Sequence, residues 1–135
     1  MRKTKLTIVN RKIFIQGFRF IIVGISNAII GLGLIYLCYN LLRINYKLSN
    51  IIGYSCGFIN SFIWNKKWTF KSNKRALKEF FLFGFIFLIS FSLNFISIIA
   101  CVEKFGLTPN LAQLVGVFIY TTTNFLGNKF ITFRK

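Results

Sequence analysis

The chain has 135 residues, 55% hydrophobic, 19% aromatic and 15% charged, where a soluble domain carries roughly 25% charge; its mean hydropathy is +0.62. A soluble fold this small could not hide so much apolar surface, which excludes an ordinary soluble domain and points to a membrane protein. The net charge of +16 comes from eighteen Lys and Arg against two acids, Glu79 and Glu103, with no Asp or His, and its placement must decide between nucleic acid and anionic lipid.

Arg2, Lys3, Lys5, Arg11 and Lys12 open the chain like the basic start of a signal peptide. The apolar run that follows exceeds the usual signal core of about 7–15 residues, so it is read as a retained span. Four uncharged stretches are long enough to cross a bilayer, which takes about 20 residues. They are Phe20–Leu42, Leu48–Asn65, Phe80–Val102 and Phe105–Asn128, the last trimming to about 107–127 with Pro109 in its first turn. The second is short and carries Ser49, Asn50, Ser55, Asn60 and Ser61, so it should be the least lipid-exposed or a tilted one. The predicted fold class is therefore all-α: a single membrane domain over 1–135 with four spans at about 20–42, 48–65, 80–102 and 107–127.

Fifteen of the eighteen basic residues lie before the first span, between spans two and three, or after span four; only Arg43, Lys47 and Lys104 lie on the other side. The positive-inside rule then places both termini in the cytoplasm. The charge is accounted for by topology and anionic-lipid contact, and no nucleic acid is expected. Cys38, Cys56 and Cys101 sit in apolar runs without a Cys-x-x-Cys pair and read as small hydrophobes. Without His or clustered acids no metal site is expected, and no cofactor.

The chain reads as doubled. A shift of 63 places Gly53 on Gly116, Phe62 on Phe125, Asn65 on Asn128, Lys66 on Lys129, Thr69 on Thr132 and Phe70 on Phe133, while a shift of 60 places Phe20 on Phe80 and Gly24 on Gly84. Two parallel helical-hairpin repeats are expected, at about 14–71 and 76–134.

Four segments carry a family likeness: Phe18-Arg-Phe-Ile-Ile-Val-Gly24, Asn65-Lys-Lys-Trp-Thr-Phe70, Phe80-Phe-Leu-Phe-Gly84 and Asn128-Lys-Phe-Ile-Thr-Phe133. Through them the chain resembles the GtrA-like membrane proteins over about 14–134. The resemblance implies a role in cell-surface polysaccharide synthesis: flipping a polyprenyl-phosphate-linked sugar across the cytoplasmic membrane, beside a polyprenyl-phosphate glycosyltransferase. Members of that family often carry an acid in the first span, near the place of Gly31 here, and the second copy has Phe130-Ile131 where the first has Lys67-Trp68.

The residues themselves give catalysis little to work with. General acid–base chemistry and metal-assisted transfer both call for carboxylates in groups, and Glu79 and Glu103 are isolated and read as solvated charges at span borders. No span holds the buried acid that a proton-coupled cation exporter uses. A phosphate-bearing lipid suits the chain better. Interfacial Arg and Lys can clamp phosphate, and Asn offers donors without a bare charge in low dielectric. The candidate lipid-phosphate or sugar-binding residues are Arg19, Asn27, Asn60, Asn65, Lys66, Lys67, Trp68, Asn94, Asn124, Asn128 and Lys129. Each also has a plainer role. The lysines can snorkel, Trp64 and Trp68 can belong to an interfacial belt, and Asn27 and Asn94 can join helices. Gly53 and Gly57 read as helix packing. Four short helices leave little room for a polyprenyl head group, which a homo-oligomer or a complex with the glycosyltransferase would supply. The rival reading is a scaffold that recruits that glycosyltransferase without transporting.

Overall fold

The computed structural model describes residues 2–134; the side chains of 1–9, 46, 47, 109 and 135 lie outside the described residues, and with them Arg2, Lys3, Lys5, Lys47 and Lys135 of the charge count. Among the described residues there are four α-helices and no strand: α1 Arg2–Tyr36, α2 Tyr46–Trp64, α3 Ala76–Glu103 and α4 Pro109–Gly127. By length and composition Asn10–Leu41 and Ala76–Glu103 can each cross a membrane. Helix α1 begins well before Phe20, so the basic start of the chain continues the first span as helix.

The chain divides into two units, Met1–Lys71 and Ser72–Lys135. In each, two helices pack as an antiparallel hairpin: α1 against α2, and α3 against α4. The joining turns are built alike. Ile44 N–H donates to the Cys38 carbonyl at 2.9 Å and Leu107 N–H to that of Cys101 at 3.0 Å. This six-residue closure needs a left-handed residue just past the helix, supplied by Arg43 (φ 54°) in unit 1 and Gly106 (φ 63°) in unit 2. Glycine takes that conformation without steric cost and arginine does not.

Small residues set the helix approach. A Cβ on Gly53 would stand 2.6 Å from the Gly31 carbonyl oxygen, so α1 and α2 touch backbone to backbone there. In unit 2 a Cβ on Gly116 would meet Ile98 at 2.7 Å and the Asn94 amide nitrogen at 3.1 Å.

Each hairpin ends in a π turn, Asn65–Thr69 in unit 1 and Asn128–Thr132 in unit 2, closed by i→i+5 bonds from Phe70 N–H to the Asn65 carbonyl (2.9 Å) and Phe133 N–H to the Asn128 carbonyl (2.8 Å). The extra residue per turn swings the last Phe back over its hairpin. Phe70 meets Phe20 edge-on at 6.3 Å between ring centres, and Phe133 meets Phe83 at 6.1 Å. All four rings are buried. Phe83, not Phe80, thus holds the place of Phe20, and one spacing of 63 residues relates the paired rings, the joining turns and the close glycine contacts of the two units. The Phe20–Phe80 and Gly24–Gly84 alignment is corrected accordingly. It fails because Gly24 has no atom within contact range of its missing Cβ, so nothing in the packing depends on it.

Candidate functional site

The terminal end of unit 1 brings together Arg19, Lys66, Lys67 and Trp68. Arg19 lies near the middle of α1, and its Nη1 donates to the Trp68 carbonyl at 3.1 Å. Its guanidinium sits 5.2 Å from the centre of the Trp68 ring, a cation–π contact. A guanidinium carries five N–H donors in a fixed fork, so others remain to meet an anion. Lys67 is exposed and Lys66 half-buried. In unit 2 the place of Arg19 is taken by Leu82, and the one candidate cation of its π turn, Lys129, lies 5.6 Å and 5.7 Å from the rings of Phe125 and Phe130.

Asn65 and Asn128 are built into the turns themselves. They are 1% and 0% exposed, the first residues of the two π turns. Asn65 Nδ2 donates to Ser61 Oγ at 3.3 Å; Asn128 Nδ2 donates to the Asn124 carbonyl at 2.9 Å and also to the Asn124 side-chain oxygen. Each thus directs amide N–H one helical turn back. Oδ1 of both, an acceptor, finds no partner among the described residues, nor does the hydroxyl of the buried Thr69 and Thr132, which can donate as well as accept. The recurring Asn-Lys-x-x-Thr-Phe ending is therefore explained first as a folding device: Asn opens the π turn, Thr packs inside it, and Phe locks it down.

Higher along the helices, Asn27 faces Gly57 and Asn60 shares the Gly57 face of α2. Asn27 Oδ1 and Asn60 Nδ2 are buried without a partner among the described residues. Asn94 stands beside Gly116 in unit 2, and Asn124 is buried as the acceptor for Asn128.

Two features were missed in the sequence. Glu79 is 2% exposed and accepts a hydrogen bond from Ser72 Oγ, so it is not the solvated border charge that its neighbour Lys78 suggested; Glu103 is exposed as expected. It lies in the first turn of α3, where the helix dipole favours a carboxylate, and Lys74 Nζ close by donates to the Arg134 carbonyl. Arg43, with Tyr39, Asn40, Ile44 and Asn45, lines an open cavity of about 510 Å³ at the joining turn of unit 1. The signal available for it was Gly106, 63 residues on, which marks the left-handed position that Arg43 occupies.

The chain was compared with known proteins. Residues 19–133 match the model of the GtrA/DPMS transmembrane domain. Among similar proteins, uncharacterized membrane protein YngA of Bacillus subtilis is 28% identical over 116 residues, covering 85% of this chain and 77% of its own length. The bactoprenol-linked glucose translocase of Shigella flexneri is 31% identical over 74 residues, 55% of this chain and 60% of that protein. The cell wall teichoic acid glycosylation protein GtcA of Listeria innocua is 24% identical over 120 residues, 85% and 82% of the two chains. With its matched segment taking in both hairpins and both π turns, the chain is a membrane protein of the GtrA/DPMS transmembrane domain family.

Proposed function

We propose that this protein moves a polyprenyl-phosphate-linked sugar across the cytoplasmic membrane, as a carrier and not a catalyst. In this reading all four helices span and both termini are cytoplasmic. The observation that carries it is the cation cluster of unit 1: Arg19 laid on Trp68, with Lys66 and Lys67 on the adjoining turn. These groups suit a lipid phosphate at the cytoplasmic border. The sugar then passes the uncharged amides of Asn27 and Asn60 in unit 1, which meet hydroxyls without a charge in low dielectric. The polyprenyl chain stays in the bilayer against exposed apolar side chains such as Ile21, Ile25 and Ile29. Kinship to a protein named for translocating bactoprenol-linked glucose supports this reading. Anionic lipids, a polyprenyl-phosphate glycosyltransferase and a second copy of the chain are the partners it invites.

Reconstitution tests it. Liposomes holding only this protein and a fluorescent polyprenyl-phosphate sugar should lose label to an impermeant quencher faster and more completely than empty ones. Equal rates, with the protein folded and inserted, would count against translocation. A second reading has its own support in the relative named for teichoic acid glycosylation, a name that speaks of no movement. There the protein recruits the glycosyltransferase, and the two should co-purify while liposomes show no transfer.

A further inference from the structure

Two hydrogen-bonding atoms in unit 1 stand out because the fold does not require them. Asn27 Oδ1 accepts and Asn60 Nδ2 donates; both are buried, and neither has a partner among the described residues. Leaving such groups unpaired in apolar surroundings is costly. Gly57 joins them. A Cβ there would lie 3.1 Å from Asn27 Oδ1, and Asn60 follows three residues later on the same face of α2.

Unit 2 fills the matching positions differently. Ser90, in the place of Asn27, donates to the Ile86 carbonyl at 2.8 Å. Tyr120, in the place of Gly57, hydrogen-bonds Asn124 and packs edge-on to Phe87 at 6.2 Å. Thr123 takes the place of Asn60. The same hairpin thus forms with Ser90 and Tyr120 paired and a ring in place of the glycine. Gly57 lets Asn27 close on α2, but stability alone gives no reason for the unpaired amide atoms of Asn27 and Asn60.

We propose that Asn27, Gly57 and Asn60 form a site that reads the hydroxyls of a neutral hexose on a lipid carrier. A sugar hydroxyl is donor and acceptor at once. One can donate to Asn27 Oδ1 while it, or its ring neighbour, accepts from Asn60 Nδ2, and the glycine at 57 is what lets the Asn27 amide close on α2 beside Asn60. The free Oδ1 repels a phosphate, so the site selects sugar and leaves the phosphate to the cations at the terminal end. This rests on the translocation reading and adds to it the part of the substrate that unit 1 recognises.

The test uses the purified full-length protein in detergent, with two probes measured by native mass spectrometry: polyprenyl phosphate carrying glucose, and the same lipid without sugar. The wild type should prefer the glucosylated lipid by about tenfold, the worth of two modest hydrogen bonds. Two variants should lose that preference while binding the sugar-free lipid normally. One is Asn27→Ser/Gly57→Tyr/Asn60→Thr, which borrows the residues of unit 2; the other, Asn27→Leu/Asn60→Leu, guards against misfolding of the first. No preference in the wild type, or a preference both variants keep, overturns the site. Binding of neither lipid overturns the site and the translocation reading together. A preference lost in the variants, without movement in liposomes, upholds the site and removes translocation alone.

Discussion

The two units are close to copies in what holds them together and unlike in what they leave chemically available. Both close a π turn from an Asn carbonyl to a Phe amide, both bury that Asn and a Thr, and both lock the turn with a pair of Phe rings. Unit 1 alone carries Arg19 on Trp68, and unit 1 alone keeps the Asn27 and Asn60 amide atoms buried and unpaired beside a glycine. Unit 2 sets Leu82, Ser90, Tyr120 and Thr123 in those places. Positions that agree at a spacing of 63 residues are explained by folding; positions that differ are where a function can be looked for.

That division makes ranked predictions, all measurable as thermal unfolding in detergent. Gly53→Ala should do the most damage. Its new methyl meets backbone, the Gly31 carbonyl, which cannot turn aside, and a loss of about 3 kcal/mol is expected. Gly116→Ala presses on the flexible Ile98 side chain, and gains helix propensity, so it should cost under about 1 kcal/mol. Equal losses at the two glycines would break the comparison. Phe70→Ala and Phe133→Ala should each cost about 3 kcal/mol, and by similar amounts, since each removes one buried ring from a matched pair. The π-turn asparagines sharpen the comparison further. Asn128→Ala gives up two hydrogen bonds and Asn65→Ala one, so about 2 and about 1 kcal/mol are expected. Smallest is Glu79→Gln, which keeps a partner for Ser72 Oγ and should cost about 1 kcal/mol or less.

Much of this was legible in the sequence. The four apolar stretches and the recurrence of Asn65-Lys and Asn128-Lys follow from composition and spacing, and Arg19 stood out as a cation at the edge of an apolar run. Other features could not be read. Hydrophobic periodicity assumes 3.6 residues per turn, and a π turn breaks that rhythm, so the inward swing of Asn65 and Asn128 leaves no periodic trace. Glu79 sits among charged neighbours at a span border and reads as solvated until the start of α3 at Ala76 places it inside the first turn. The Phe20–Phe80 match rested on a Phe-x-x-x-Gly likeness in which Gly24 packs against nothing. A likeness between letters outweighed one between contacts.

The central claim is that unit 1 carries function at positions its own folding does not need, and Arg19→Leu tests it most directly. The change gives unit 1 the residue found at the same place in unit 2 and removes both the Trp68 hydrogen bond and the cation–π contact. Movement of a polyprenyl-phosphate sugar in proteoliposomes should fall about tenfold or more, the loss of a charge-assisted contact, at a temperature where the variant, less stable by about 1–2 kcal/mol for its lost Trp68 contacts, is still folded. Unchanged movement, or a loss that merely follows unfolding, would contradict the claim.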